Sequence, residues 1–408
     1  MRLWTEDNFG EDLLFNVRNG GVYYKDMSAN IADRAVNITS LTGSSGAPTV
    51  ARQVLISDND RHIIAFGVNE IGSSTQDPLL ARWATSESLI SWTPSTTNTA
   101  GDLRFDGGSE FIKAVETTTE ILVFTDVTLH SMRFVGAPFT FGQTRIGSNV
   151  QLIGPNAVAS TGAETFWAAN GANGLLFQMY DGVVRDLPCS IRTYVSSIIN
   201  KAQSEKITAG VNRAYSEVIW LMPVNGSSEN NFYVICNYEN RAAPIWYYGD
   251  YNNAGRTTWL DAWFEGYPLA GSTDGYLYLH DIGSTDQSVT PAIALDSYLT
   301  SSVFELGNGE NFMLVSRTIP DLDFTGSTIA APSVNLTFQK RDYPGSAFAS
   351  VTDSAVTLSV TGPPAQYTGK IDKRFRARSV QFGIETASAG TLWQLGTPRL
   401  YASPDGQR

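Results

Sequence analysis

The chain has few of the residues that build metal sites and disulfide frameworks. Its 408 residues include two cysteines, Cys189 and Cys236, and three histidines, His62, His130 and His280. None of these residues stands at the short spacing of a zinc or disulfide motif. The sequence therefore predicts free thiols and hydrogen-bonded structural histidines, with no metal ion and no other cofactor.

Charged residues are also scarce, and long apolar runs are missing. Charged residues make up 17% of the chain and hydrophobic residues 42%. No apolar run approaches the ~18–20 residues that a membrane-spanning helix needs, so we expect no membrane insertion. Residues 1–7 include Glu6 and Asp7 and do not resemble a secretory signal. We therefore expect a soluble protein that is made in a cytoplasm.

The sequence lacks the familiar catalytic signatures as well. It contains no nucleophile elbow, no phosphate-binding loop and no calcium-binding loop of the known patterns. The nearest match to the turn repeated in sialidase propellers is residues 85–92, which lack both its aspartate and its glycine. These absences predict that the protein is not an enzyme.

The net charge of −12 is placed unevenly along the chain. Residues 1–289 hold 18 basic and 30 acidic residues, whereas residues 290–408 hold 10 of each. A protein that grips nucleic acid is normally basic. An acidic surface is compatible with DNA only where DNA must pass without sticking.

Short apolar segments rich in Val, Ile, Phe, Tyr and Trp dominate the first two thirds of the chain. This composition is typical of β-strands. Asn-Gly and Asp-Gly pairs, which favour hairpin turns, separate the segments at residues 19–20, 170–171, 181–182, 225–226 and 274–275. The apolar segments recur about every 43–59 residues, close to the length of a four-stranded propeller blade. This pattern predicts a β-propeller-like domain of five or six blades over residues 1–285, although meandering sandwiches would give a similar pattern.

Two segments differ from this pattern. Residues 190–206 carry apolar side chains at helical spacing and predict one inserted amphipathic helix. From residue 290 to 408, short strands separated by turns predict a β-sandwich-like domain. The fold class predicted from sequence is therefore all-β, with propeller-like repeats, one helix and a C-terminal sandwich-like domain.

A basic segment near the end of the chain is the best candidate interface. Its candidate residues are Lys373, Arg374, Arg376 and Arg378. If the segment is a strand, the three arginines point to one face. They would then pair with carboxylates of a neighbouring subunit or with DNA phosphates, or form the solvated face of an edge strand. The pattern also predicts that the strand continues, on the same face, into the apolar residues of 380–384.

Aromatic residues offer a second kind of candidate site. Trp246, Tyr247, Tyr248, Trp259 and Trp263 are either platforms for sugar rings or parts of the hydrophobic core. The sequence favours the core for most of them, because large β proteins commonly bury tryptophan.

Several segments resemble one family of viral proteins. They are residues 3–14, 20–26, 124–142 and 180–189 in the first part, and residues 341–344, 374–378, 393–400 and 404–406 in the second. Over nearly its whole length the chain resembles the tail hub or nozzle proteins of short-tailed bacteriophages, which are related to tail tubular and packaged-DNA-stabilisation proteins.

The resemblance implies a structural role in a virion tail, assembled in the host bacterial cytoplasm. Such proteins form a homo-hexameric ring around an axial channel for double-stranded DNA, without binding its sequence. They dock head-to-tail adaptor proteins on one side and a tail fibre, spike or needle (plug) protein on the other. They help to retain the DNA and later form its exit path. The alternative is a receptor- or carbohydrate-binding propeller at a phage tail tip.

Overall fold

Two compact units divide the chain. In the computed structural model, the described residues are 2–251, 254–264, 266–287, 289–357 and 369–407. The units are Met1–His280 and Asp281–Arg408. With this boundary the first unit holds 18 basic and 28 acidic residues, a net charge of −10, and the second holds 10 and 12, a net charge of −2.

Six small antiparallel sheets follow one another in the first unit, and we call them blades one to six. Blade one contains β1 (Trp4–Phe9), β2 (Asp12–Val17), β3 (Val22–Lys25) and β4 (Val36–Asn37). Blade two contains β5 (Gln53–Ile56), β6 (Ile63–Phe66), β7 (Leu80–Trp83) and β8 (Gly101–Arg104). Blade three contains β9 (Phe111–Glu116), β10 (Ile121–Thr125), β11 (Thr128–Gly136) and β12 (Thr140–Ser148).

The next three blades continue the same meander. Blade four contains β13 (Val158–Ser160), β14 (Thr165–Gly171), β15 (Gly174–Tyr180) and β16 (Val184–Asp186). Blade five contains β17 (Thr208–Asn212), β18 (Glu217–Met222), β19 (Phe232–Asn237) and β20 (Ile245–Asp250). Blade six has three strands, β21 (Arg256–Leu260), β22 (Leu269–Ser272) and β23 (Leu277–Leu279).

The blades are arranged as in a propeller. The first strand of each blade contacts the first strand of the next, from β1 and β5 through to β17 and β21. Apolar side chains fill the space between neighbouring blades, for example Phe66 of blade two stacked on Phe111 of blade three with 4.9 Å between ring centroids. The prediction of an all-β, propeller-like fold is thus confirmed.

A network of charged side chains lies where the first strands meet. Arg18, in the turn after β2, donates to the carbonyl oxygens of Phe111 (3.0 Å) and Ile112 (2.9 Å) in blade three. Arg52 of blade two donates to the same Phe111 oxygen at 3.0 Å. Lys113 donates to Asn156, which precedes blade four, at 3.4 Å. Because these side chains bond across several blades, they hold the inner strands of the unit together.

The predicted turn at residues 170–171 is displaced. Gly171 instead ends β14, where it pairs with Gly174 at the start of β15. Gly174 has a φ of +106° and supplies the left-handed backbone that the turn needs. The hairpin therefore turns two residues later than the Asn-Gly pair indicates.

The predicted helix over 190–206 is wrong in its length. The α-helix α1 spans Arg192–Ile198, and a separate 3-10 helix spans Lys201–Lys206. Ile199 adopts an extended conformation and pairs with Val224, while the Asn200 N–H donates to the Pro223 carbonyl oxygen at 2.8 Å. This pairing with the segment after β18 breaks the helix, although the apolar spacing continues past the break. Two further 3-10 helices span Ile38–Ser40 and Arg213–Tyr215.

The second unit is also built of strands. Its first pair is β24 (Thr285–Asp286) and β25 (Ile293–Ala294). The larger sheet contains β26 (Ser297–Thr300), β27 (Phe304–Glu305), β30 (Ser333–Arg341), β31 (Ala349–Thr357) and β33 (Ser379–Thr386). A second sheet contains β28 (Met313–Ile319), β32 (Ile371–Ala377) and β35 (Arg399–Pro404), and β29 (Leu322–Asp323) pairs with β34 (Gln394–Leu395). Side chains from both larger sheets share one apolar core, as in a β-sandwich.

Candidate functional site

The predicted basic interface lies on β32, which pairs with β28. Arg374 is exposed, and Lys373, Arg376 and Arg378 are half-buried. Phe375 and Ala377 alternate with the arginines and are buried in the core of the second unit. The strand therefore presents its arginines on the face opposite to that core.

Arg376 and Arg378 are already engaged within the unit. Arg376 Nε donates to Asp405 Oδ2 at 2.7 Å, and its guanidinium lies 3.9 Å from the centre of the Phe312 ring. Arg378 donates to the carbonyl oxygens of Gly309 and Asp342, both at 3.0 Å, and lies 4.7 Å from the same ring. The two side chains thus tie β32 to the last strand and to the segment before β28. Arg374 has no partner in the part of the chain that the structure describes, so it is the member of the set that is open to a neighbour.

The predicted continuation of this strand into residues 380–384 is wrong. The chain bends at Arg378 and leaves the sheet of β32 for the sheet of β33. After the bend, Val380, Phe382 and Ile384 point into the core that Phe375 also occupies. The change of sheet reverses the alternation, so residues of the same parity face outwards before the bend and inwards after it.

The candidate aromatic platforms are divided between core and surface. Trp246 is buried against Phe177 and Trp220 and donates to the Pro188 carbonyl oxygen at 2.6 Å. Trp259 is half-buried beside His280, with 5.0 Å between their ring centroids. Trp263 is 41% exposed, and the neighbouring Phe264 is 80% exposed. Of these aromatics, Trp263 with Phe264 forms the most accessible pair.

A shallow pocket of about 220 Å³ lies between blades two and three. Its lining includes Asp60, Glu116, Glu120, Arg133 and Phe134. Glu120 accepts hydrogen bonds from Arg133 Nη2 at 2.9 Å and from the Tyr180 hydroxyl at 3.0 Å. The contact with Arg133 lies within blade three, whereas the contact with Tyr180 joins blades three and four, so part of the pocket's polarity serves to hold blades together.

Glu116 is the unusual acid of this pocket. Burial is the main cause that raises the pKa of its carboxyl to about 7, and the nearby carboxylates of Asp58, Asp7 and Asp60 contribute to the same shift. A hydrogen bond of 2.8 Å from the Asp58 N–H to Glu116 Oε1 acts in the opposite direction. Glu116 therefore exchanges its proton near neutral pH.

The three histidines have structural environments. His62 contacts Asp60 at 3.1 Å and Thr99 at 2.9 Å. His130 is buried beside Thr128, and burial lowers its pKa. Burial, followed by the charge of Arg256, lowers the pKa of His280 to about 4.

The described residues also hold no evident metal site. Within the described ranges, no group of three or more His, Cys, Asp or Glu side chains is placed to hold a metal ion. Cys189 and Cys236 are free, and burial raises the pKa of their thiols to about 11 and about 12. Among the described helices, none is long and apolar enough to cross a membrane.

One exposed apolar feature escaped the sequence analysis. The hairpin of β11 and β12 exposes Phe134, Val135 and Phe139, by 51%, 57% and 74%. Both strands have nine residues, whereas the other strands of the six blades have between two and seven residues. The aromatic residues on either side of the Gly-Ala-Pro turn at 136–138 were the signal for this hairpin tip. Their alternation indicates a strand, but it does not show how far the side chains of the tip are exposed to solvent.

Comparisons with known proteins do not assign this chain to a family. No protein-family model and no curated protein matches this chain. Solved structures that are similar to it include an apocarotenoid oxygenase of Synechocystis (9% identity, TM-score 0.35, 66% of this chain and 65% of that one) and a lignostilbene dioxygenase of Pseudomonas brassicacearum (9%, 0.33, 65% and 65%). A third is a β-fructofuranosidase of Schwanniomyces occidentalis (7%, 0.22, 97% and 92%). This chain thus spans about 65% of the length of the two oxygenases. At these TM-scores and identities, the enzymatic activities of the neighbours say nothing about the activity of this chain.

Proposed function

We propose that this chain is a structural subunit of a short-tailed bacteriophage tail, a nozzle or hub protein rather than an enzyme. In this role six copies form a ring around the DNA path. The ring docks adaptor proteins on one side and a fibre, spike or needle protein on the other. The protein acts by retaining packaged DNA and by guiding its exit.

The observation that carries the proposal is the charge of the propeller unit. Its net charge of −10 contrasts with −2 for the second unit. A wall of the same sign as the DNA phosphates lets the duplex slide past without binding it. Because the arginines at 376 and 378 are engaged inside their own unit, the main basic segment of the second unit offers DNA few free cations.

Exposed apolar features support contacts with other proteins. The hairpin tip at 134–139 projects three large apolar side chains in a segment that carries the resemblance to tail proteins. Exposed apolar groups of this kind commonly mark protein interfaces. Arg374, on the outer face of β32, adds a charged group at a second surface.

The test is to locate the chain in the virus that encodes it. Virions carrying a tagged copy of the full chain are imaged by electron cryomicroscopy, and the tag is expected as a ring of six around the tail axis. The control is the same tag on a major capsid protein, which should mark the head. If the tagged chain is absent from purified virions, the proposed function is wrong.

A second candidate is a carbohydrate-binding propeller at the tail tip. The exposed pair Trp263 and Phe264 favours it, because stacked sugar rings need accessible aromatic faces. Binding of the full chain to a glycan array, lost in Trp263→Ala and kept in Trp246→Phe, would support this role over that of a conduit.

A further inference from the structure

In the part of the chain that the structure describes, blade six has three strands, whereas each of the other five blades has four. Its outermost strand, β23, pairs with β22 on one side. The sequence of β23 contains no charged residue and no proline, and its pairing has no bulge. Natural proteins usually protect an edge strand with such features or by keeping it short, and of these β23 has only its short length of three residues. Within the described residues no strand pairs with its outer side, so this edge is open to another strand.

The backbone of β23 has a defined outer side. The Tyr276 carbonyl oxygen accepts from Ser272 N–H at 3.0 Å, and His280 N–H donates to Pro268 at 2.8 Å. Since every second residue of an antiparallel strand bonds to the same neighbour, the backbone groups of Leu277 and Leu279 point away from β22. The side chains of these two residues are 69% and 36% exposed.

Strand β26 of the second unit has a matching side that no other described strand pairs with. It forms the edge of its sheet and pairs with β33. Ser301 N–H donates to the Phe382 carbonyl oxygen at 2.8 Å, so the backbone groups of Tyr298 and Thr300 point away from β33. Tyr298 is 63% exposed. This strand, Ser297–Thr300, likewise has no charged residue and no proline.

We propose that β26 of one copy of this chain adds to β23 of a second copy and completes blade six as its fourth strand. The two outward residues of each strand have the same spacing, so an antiparallel pairing sets Leu277 opposite Thr300 and Leu279 opposite Tyr298. Each pair exchanges two backbone hydrogen bonds, and Tyr278 lies opposite Leu299 between them. This is strand addition at a sheet edge, in which main-chain bonds give affinity and side chains give register.

The occupant is a second copy because the chain itself carries both halves of the contact. The two edges are different surfaces, so each copy uses one edge towards each neighbour. Such head-to-tail contacts generate a closed ring when the rotation between copies closes. The inference thus specifies how the ring of the proposed function is held together, and it rests on that function for its setting in the tail.

The pairing is tested by cross-linking in the full chain. Leu277→Cys and Thr300→Cys are combined, and a short bis-maleimide is applied to virions and to the concentrated purified protein. Opposite residues of a paired strand lie about 5 Å apart at Cβ, so a ladder of linked copies is expected on a denaturing gel. Each single variant, and the pair Val183→Cys with Thr300→Cys, should stay monomeric. Val183 is a matched control because it is 58% exposed on blade four.

A charged residue placed in β23 gives a second test of the proposed pairing. Leu277→Lys is expected to reduce incorporation of the chain into virions at least tenfold, whereas Val183→Lys leaves it unchanged. An unchanged thermal melting curve shows that both variants fold.

The outcomes separate this inference from the proposed function. Virions that contain a ring of the chain but yield no cross-linked ladder would overturn the strand pairing and leave the function intact. If virions lack the chain, the proposed function fails, and the gel of the concentrated purified protein alone decides the pairing. A ladder there supports it, and monomers there reject it.

Discussion

Arg374 and Arg376 lie on the same face of β32, but different contacts hold them. Arg376 bonds to Asp405 and stacks on Phe312, whereas Arg374 is exposed and has no partner among the described residues. The ion pair is 39% and 44% exposed, so solvent screens much of it. We expect Arg376→Ala to cost about 1 kcal/mol, mostly from the lost stacking.

Hydrogen exchange measured by mass spectrometry checks this cost locally. In Arg376→Ala, peptides covering β35 should exchange about fivefold faster, since about 1.4 kcal/mol corresponds to a factor of ten. Arg374→Ala is the control and should leave exchange in β35 unchanged. Equal acceleration in both variants would contradict the division between a structural arginine and one free for a neighbour.

Glu116 gives the propeller unit a stability that depends on pH. Its pKa is raised from 4.5 to about 7, so the folded state holds the proton more tightly than the unfolded state. The stabilising effect of the proton is present below pH 4.5 and is lost as the pH rises through about 7. Glu116→Gln keeps an acceptor for the Asp58 N–H and removes the buried charge. We expect this variant to exceed the wild type in unfolding free energy at pH 8 by on the order of 1–2 kcal/mol, with little difference at pH 4.5.

Urea unfolding at several pH values measures this difference. Glu120→Gln provides the contrast in the same pocket, because it loses the ion pair with Arg133 and should destabilise the protein at pH 8. If Glu116→Gln has a lower free energy of unfolding than the wild type at pH 8, the ionised carboxylate of Glu116 does not destabilise the folded protein.

At the scale of elements, blade five and blade six meet through a glycine and a tryptophan. A Cβ added to Gly210 in β17 would overlap the indole of Trp259 in β21. The indole donates to the Val211 carbonyl oxygen at 3.2 Å, which fixes its position. Gly210→Ala should therefore displace Trp259 and cost about 1–3 kcal/mol.

A double-mutant cycle separates this clash from an effect on the strand itself. In a Trp259→Ala background, Gly210→Ala should cost less than about 0.5 kcal/mol, because the overlapping ring is gone. Gly369→Ala is the matched control, since a Cβ at that position meets nothing within 4 Å. Thermal unfolding of the four proteins of the cycle and of the control checks the prediction. If Gly210→Ala destabilises the Trp259→Ala protein as much as it destabilises the wild type, the effect arises from the backbone of β17 and not from the clash with the indole.

The elements show where sequence patterns suffice and where they fail. Alternation and turn pairs predict the strands because each blade is formed from neighbouring segments of the chain. The helix over 190–206 was predicted too long because the pairing of Ile199 with Val224 is tertiary and leaves no local signal. The reversal after Arg378 was missed for the same reason, since alternation cannot show that a chain changes sheets.

For the molecule as a whole, composition predicts the class and the distribution of charge. Most of the excess of acidic residues in the first part of the sequence remains in the propeller unit, and the boundary after His280 assigns Asp281 and Asp286 to the second unit. The candidate contact surfaces were only partly predictable. The basic segment at 373–378 is visible in the sequence, but the exposure of the hairpin tip and the open edges of β23 and β26 depend on what the rest of the fold covers.

The long-range hydrogen bonds of Arg18 have a consequence for folding during synthesis on the ribosome. Its guanidinium bonds to carbonyl groups that lie 93 and 94 residues further along the chain. When blade one emerges, the acceptors of this cation have not yet been made, and domains assemble as the chain grows from its N-terminus. Blades one and two therefore lack these stabilising hydrogen bonds until β9 has left the exit tunnel. A translational pause just after residue 112 would prolong the period in which the nascent chain needs protection from aggregation.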